Sequence, residues 1–466
     1  MFKIIKNKKT RKPFFLNLIK KFRDFKQSHQ LLTKIFYTIF LILIFRFLAS
    51  IIMPGFTIKK QDSKEGSSFF MEMLDLVGGG GLANLSIVAL GISPYITASI
   101  IMQLLQTEAF PPLHRLSKSG PAGKRKINFI TRVFTFIFAY IQAITIIQTL
   151  QGKDGQGFLQ IDKDYTHNFF IWGFYPIVLA STSLFALFLA DQITNNGVGN
   201  GTSLLIFSGI TATLVGRIRN IFNWFVYKNS PAYDYFSFFL YMFFIIFIFF
   251  IITFVYLSQR RIPLQQTGAG LAVEEKKLPF LPIPLNPAGI MPIIFSMTIL
   301  TLPTTIIQFV HHQNVVRVWI ENNLKFTEFF GLFLFVLISF VFSIIMAIIT
   351  FNPFEVADRF KKNGTFIIGI KPGEETENYL SDIIIRISIF SGIYLAIINS
   401  IQYIQDKFFY IESQYTFSGS SLIILVSVAI ETIDHLQVRQ TSQEITKTKR
   451  EAELSSNNKE LEGFIW

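Results

Sequence analysis

The sequence predicts an all-α polytopic membrane protein. Ten spanning helices are expected in two inverted five-helix halves, with one re-entrant segment. Three observations predict this. First, apolar runs near 20 residues recur along a chain that is 51% hydrophobic, with mean hydropathy +0.44 and 54 phenylalanines, which is far too apolar for a soluble fold. Second, Lys and Arg are distributed unevenly between alternate loops. Third, the apolar stretch from Gly78 to Leu105, GGGGLANLSIVALGISPYITASIIMQLL, is interrupted by Gly91 and Ser93-Pro94. Its first piece, Leu82–Leu90, is too short to cross a hydrocarbon core of ~30 Å, which needs about 20 helical residues. Two readings stay open for it: a re-entrant, plug-like segment followed by a helix, or one spanning helix kinked at the proline. In the first reading, non-helical backbone at membrane depth must be buried in protein or line a wet cavity.

The remaining elements follow in order. Residues 1–26 carry ten Lys/Arg and a single acid, Asp24, a charge pattern that marks a cytoplasmic end. Span one is expected at Leu31–Met53, with Arg46 inside it and so facing the bundle or snorkelling. The polar stretch 54–77 leads to the interrupted segment. Leu113–Lys126 reads as a basic loop. Span three follows at Phe129–Leu150 and span four at Phe169–Ala190. The connector DQITNNGVGNG is rich in turn residues. Span five runs from Thr202 to Val215 and on towards Ile221, and span six covers Phe236–Leu257. Polar segments Ser258–Leu285 and Phe351–Tyr379 flank spans seven (from Pro287) and eight (near Phe329). Spans nine and ten begin near Ile383 and Ser420, and the charged tail from Val438 is expected to be helical only in part. The divisions are a basic segment 1–30, an N-terminal half 31–222, a C-terminal half 223–437 and a tail 438–466.

Ten spans place both termini on one side. Loops on that side hold 28 Lys/Arg and those opposite hold 11, so both termini are expected in the cytoplasm. Five spans per half invert the second half relative to the first, and the interface between such halves is the natural place for a path.

The composition argues against chemistry. With no cysteine there is no disulfide or thiolate metal site. HExxH and Gly-x-Ser-x-Gly are absent, and GTFIIGIK fails the phosphate-loop pattern. No enzyme and no cofactor are expected. The clearest acidic pair in a span, Glu431 with Asp434, reads as a solvated turn near the membrane interface. Polar information concentrates instead in two loops. One presents Arg260 and Arg261. The other presents Lys371 at a Lys-Pro-Gly turn, a position suited to docking a large partner, although simple positive-inside charge explains it equally well.

Seven stretches, in order and in both halves, resemble the SecY family of protein-conducting channels: ALGISPYITASIIMQLL (89–105), SGPAGKRK (119–126), GVGNGTSLLIFSGI (197–210), QRRIP (259–263), NPAGIMP (286–292), FNPFEVADRFKKNGTFIIGIKPGEET (351–376) and SGSSLIIL (418–425). The resemblance selects the re-entrant reading. It implies a clamshell of two halves around an hourglass pore, with a lateral gate between spans two and seven. It implies a plug at Leu82, Ala83, Asn84, Leu85, Ser86 and Ile87, and a pore ring of Ile92, Ile96, Thr202, Ile206, Ile294 and Ile424. Arg260, Arg261 and Lys371 become the contacts to ribosome or motor. Thr202 stands where relatives carry an aliphatic residue, and Lys371 where they carry Arg. The implied partners are SecE-like and SecG-like membrane subunits, the SecA motor ATPase, the ribosome, unfolded preproteins with their signal sequences, and the lipid bilayer. A bacterial plasma membrane is the expected location, with a plastid membrane as the alternative. A secondary transporter with inverted repeats would explain the topology and the interrupted helix, but not the two basic loops or the apolar ring.

Overall fold

The computed structural model describes residues 29–58, 86–106, 110–151, 159–161, 169–227, 235–266, 279–308, 319–320, 323–324, 328–409 and 416–463. The N-terminal basic segment and Leu82–Leu85 of the expected plug lie outside the described residues.

The apolar runs form helices. The first five spans are α1 (His29–Ser50), α2 (Ser93–Leu105), α4 (Gly120–Gln151), α5 (Tyr175–Asn196, entered through a π-helical turn at Phe170–Phe174) and α6 (Gly201–Tyr227). The second five are α7 (Tyr235–Leu257), α8 (Met291–Gln308), α9 (Phe329–Phe351), α11 (Glu374–Asn399) and α13 (Gly419–Gly463). Short helices α3 (Pro111–Lys118), α10 (Pro353–Lys362) and α12 (Ile401–Phe409) lie between them. Among the described residues, eight helices are long and apolar enough to cross a membrane. The two shorter apolar ones, α2 and α8, are the second of each set of five. At 13 residues, α2 is about 20 Å long.

Several expectations need correction. The basic loop 113–126 is helical: α3 and the first turns of α4 occupy it, because Gly120 at φ +75° turns one helix directly into the next. The turn-rich connector is shorter than read, since α5 continues to Asn196 before the chain leaves helix at Gly197. The tail is not partly helical, because α13 runs unbroken to Gly463. Glu431 and Asp434 therefore lie on a continuous helix and not in a turn, and Glu431 Oε1 sits 3.8 Å from His435 Nε2 one turn on.

The all-α expectation also missed two small sheets. β1 (Phe56–Ile58) pairs antiparallel with β2 (Leu159–Ile161). Residues 258–285, read as one polar segment, contain an antiparallel pair, β3 (Gln259–Gln266) with β4 (Phe280–Pro284), and β3 pairs on its other edge with β5 (Thr365–Ile367). Ile262 and Leu264 alternate inward from β3 and bury against Ile283, Ile367, Leu380 and Ile383. The strand signal is only two apolar residues deep, too short to register as a period.

Helix packing is antiparallel and close. Between α9 and α11, Ser343 Oγ donates to Ser391 Oγ at 3.2 Å and Asn399 Nδ2 reaches Ser339 Oγ at 3.4 Å. A Cβ on Gly392 of α11 would press into the Phe340 ring, so glycine is required there by the approach of α9. Gly216 on α6 has no atom within 4 Å of such a Cβ. Gly392→Ala is thus expected to destabilise the protein by about 1–3 kcal/mol. Gly216→Ala, which only lowers backbone freedom, should be neutral or stabilise by up to ~1 kcal/mol. Thermal unfolding of the two variants in detergent checks the contrast.

Candidate functional site: the apolar centre and its two broken helices

The centre of the bundle is built where α2 and α8 begin. Before α2 the chain is irregular: residues 87–92 form turns, Gly91 lies at φ +50°, and Pro94 opens the helix. Ser86 and Ile87, the described part of the expected plug helix, are not helical. Ser86 bridges to Ile52, and the Ile87 N–H donates to the Ile51 carbonyl at 3.0 Å, which ties this segment to the end of α1. A peptide at this depth has no water to satisfy it. Two neighbouring hydroxyls on α5 do so instead. Thr182 Oγ1 donates to the Ile87 carbonyl at 2.7 Å, and buried Ser183 Oγ donates to the Gly91 carbonyl at 2.8 Å.

The start of α8 repeats this plan. Gly91-Ile92-Ser93-Pro94 and Gly289-Ile290-Met291-Pro292 share a Gly-Ile-x-Pro signature, and Gly289 also lies at positive φ, +62°. Asn286 Nδ2 donates to the Gly289 carbonyl at 2.9 Å, and Ser391 Oγ of α11 donates to Asn286 Oδ1 at 2.9 Å. In each set of five, the fourth helix supplies the hydroxyls that hold the turn before the second. Short interrupted segments at matching positions of two halves are the strongest sequence pointer to a path in such folds. The repeated Gly-Ile-x-Pro is such a pointer, and it lies within two of the stretches quoted above, 89–105 and 286–292.

Around these turns lies one buried apolar cluster. It includes Ile92 just before α2, Ile96 of α2, Ile206 of α6, Ile294 of α8 and Ile424 of α13, all between 1 and 8% exposed. Five of the six sequence-predicted ring residues thus belong to the same large cluster, with members from both sets of five helices. Thr202 is half-buried at the first turn of α6. Its hydroxyl donates to Asn200 Oδ1 at 2.7 Å, and the same oxygen accepts the Thr202 N–H at 3.2 Å. The hydroxyl proton is committed to this cap and not to a carbonyl one turn back.

The connector before α6 is held from two helices. Thr38 Oγ1 of α1 accepts the Val198 N–H at 3.0 Å, and Thr194 Oγ1 of α5 accepts the Gly201 N–H at 2.9 Å. A Cβ on Gly201 would strike the Ala190 carbonyl, so the glycines here serve close approach as well as turning. Arg46, expected to face the bundle or snorkel, faces it and points Nη2 at the Gly209 carbonyl, 3.5 Å away.

The predicted docking residues sit on exposed, well-fixed positions. Arg260 and Arg261 are exposed on β3, and the Arg261 guanidinium lies 4.7 Å from the Phe280 ring centre. β5 runs back along β3 towards the end that carries these arginines. Lys371 follows it between Gly369 and Gly373, both at positive φ. The turn is closed by Thr376 Oγ1 on the Lys371 carbonyl at 2.8 Å, and the Lys371 side chain is 85% exposed, 3.5 Å from Glu375.

A multi-pass helical bundle with two short apolar helices, each entered through a held turn beside one buried apolar cluster, is an architecture that suits a membrane channel. The chain belongs to the SecY family, whose defining pattern matches residues 86–433. Among relatives, the protein translocase subunit SecY of Mycoplasma capricolum is 35% identical, over 99% of this chain and 98% of its own length. That of Mycoplasmoides gallisepticum is 36% identical over 93% of this chain and 88% of its own, and that of Staphylococcus epidermidis 33% over 91% and 97%. Two solved structures share the fold at low identity. One, described as a protein-conducting channel, superposes with a TM-score of 0.62 at 15% identity, covering 88% of this chain and 92% of that one. Sec61 from a canine ribosome–channel complex gives 0.57 at 14%, with the same coverage.

The hydroxyl props are testable. Replacing Thr182 by Val and Ser183 by Ala leaves two buried carbonyls without these donors. Each loss should cost about 1–3 kcal/mol. A clear drop in the thermal unfolding midpoint of the double variant is expected, larger than for Thr211→Val, whose hydroxyl only caps an exposed carbonyl on its own helix.

Proposed function

We propose that this chain is the central subunit of a protein translocase. It conducts unfolded polypeptides across a bacterial plasma membrane and releases hydrophobic segments sideways into lipid. The observation that supports this reading is that Ile92, Ile96, Ile206, Ile294 and Ile424, from both five-helix sets, are all buried in one apolar cluster. An apolar constriction excludes water and ions by dewetting, and it offers no polar contact to hold a passing chain. Ile is stiff at χ1 and compact, which suits a ring that closes around side chains of many shapes. In this reading Ile92, Ile96, Ile206, Ile294 and Ile424, with Thr202 at the edge, form the ring. The segment Leu82–Ile87 is the plug, and the two halves, 31–222 and 223–437, are inverted. The gate to lipid lies between α2 and α8. A segment leaves through it when its summed insertion energy is favourable. Leu, Ile or Phe contribute about −0.3 to −0.6 kcal/mol each, and a central Lys or Arg costs about +2.5 to +3.5.

Both termini are assigned to the cytoplasm by the charge bias of the loops. Arg260, Arg261 and Lys371 then form the cytoplasmic contact to the ribosome or a SecA motor, and SecE-like and SecG-like subunits complete the assembly. The driving force comes from these partners. Reconstitution with a SecE-like subunit and a SecA motor tests the reading. Uptake of an unfolded precursor into a protease-protected lumen is the expected result, and saturable uptake of one small solute would replace it by a transporter.

Two sets of variants probe the parts. Lys371→Glu should abolish precursor uptake without lowering protein level, because an exposed single charge adds little stability, and Lys371→Arg should retain full uptake. Uptake assays on the two variants decide this. For the seal, Ile206→Thr should raise the ion conductance of channels lacking residues 82–87. Thr202→Ile should change it little, because the hydroxyl already donates to Asn200. Planar-bilayer recording reads both.

A further inference from the structure

Two arginines carry hydrogen bonds from one five-helix set to the other, at opposite ends of the bundle. Arg217, near the far end of α6, donates from Nη1 to the Thr416 carbonyl, just before α13, at 3.1 Å. Arg439, on α13, donates from Nη1 to the Gly197 carbonyl in the connector that opens α6. Both arginines are half-buried. A charge placed within a membrane bundle is costly unless it is paired, and a backbone carbonyl is among its common partners. Charge-assisted hydrogen bonds are also roughly twice as strong as neutral ones.

The acceptors themselves are fixed. Gly197 donates its N–H to Ile193 at 2.8 Å, and the next N–H, of Val198, is taken by Thr38. A Cβ on Gly197 would meet Thr38 Oγ1, so the carbonyl cannot easily turn away. At the other end, Gln405 is fully buried. It accepts from the Tyr241 hydroxyl at 2.9 Å and bonds both the N–H and the carbonyl of Phe417, at 3.1 Å each. The entry to α13 is therefore tied to α7 as well as to α6. On the opposite side α8 faces α4.

We infer that Arg217 and Arg439 are positioning residues that pin α13 to the N-terminal set at both membrane faces, so that the halves part on the α8 side, where α4 faces it and where the proposed gate to α2 lies. The inference rests on the channel reading above and assigns the residues that make opening one-sided. Without the pins, α13 can move off α6, and Ile424 and Ile206 separate at the resting centre.

The chain has no cysteine, so spin-label pairs can be placed cleanly. Asn195→Cys with Val438→Cys reports the pinned seam, and Phe129→Cys with Met291→Cys the opposite one; all four positions are exposed. Distances are measured in the full complex, at rest and with a stalled precursor. Widening of the Phe129–Met291 pair on loading tests the channel reading itself. The pin is tested separately, at rest, with Arg439→Met and Arg439→Lys. Arg439→Met should broaden and lengthen the Asn195–Val438 distribution and raise resting ion conductance about tenfold, as expected for loss of one hydrogen bond from a charged donor. Arg439→Lys, which keeps a donor charge, should restore both. The inference is overturned if the Asn195–Val438 pair separates on loading as far as the other pair, if Arg439→Met leaves distances and conductance at wild-type values, or if Arg439→Lys behaves like Arg439→Met.

Discussion

Backbone at membrane depth has to be hydrogen-bonded within the protein, and the architecture depends on how this chain meets that demand at two places. A path needs helices that stop short. Each such stop exposes carbonyls that lipid cannot satisfy. Here both stops are written as Gly-Ile-x-Pro, at residues 91–94 and 289–292; the first is held directly by hydroxyls of α5, and the second by the Asn286 amide, itself held by the Ser391 hydroxyl of α11. The glycines take positive φ, and the prolines open the next helix with the φ it needs. The polar cost is met from α5 directly and from α11 through Asn286, beside a large buried apolar cluster.

That division of labour separates strength from selectivity. Seryl and threonyl groups lie behind the turns, while the isoleucines at the middle carry no polar atoms. In the proposed channel the seal is then a matter of shape and dewetting, which a passing chain can displace without breaking specific bonds. Polar fastening between elements is found in the connector around Gly197 and at the entry to α13. The sheet of β3, β4 and β5 buries its own small apolar cluster against α11, so Arg260, Arg261 and the Lys371 turn adjoin a packed base separate from the large cluster.

Much of this was legible in the sequence. Long apolar runs gave the spans, and the break at Gly91 with Pro94 gave the irregular turn, because both signals follow from helix length and backbone chemistry. Five of the six ring residues, placed by family likeness, share one cluster. What stayed hidden depends on contacts distant in sequence. The strands at Gln259–Gln266 and Phe280–Pro284 bury too few alternating residues to show a period. The basic stretch 113–126 reads as a loop because of its Gly-Pro and its charges, yet Gly120 and Pro121 sit at a junction between two helices. Arg217 and Arg439 look like ordinary interfacial charges until Thr416 and Gly197, at sequence separations of 199 and 242, are found as their acceptors. The role of Asn200 in holding the Thr202 hydroxyl is likewise visible only once the cap geometry is known.

The central claim is that a polypeptide passes through the isoleucine cluster. A photo-crosslinking residue placed at Ile424, which is 1% exposed in the resting protein, tests it most directly. With a precursor stalled midway in the reconstituted complex, covalent adducts between position 424 and the precursor are predicted, moving along the precursor as the stall point moves. A stalled, protease-protected precursor that never crosslinks to position 424, while crosslinking to lipid-facing positions such as Phe243, would contradict it.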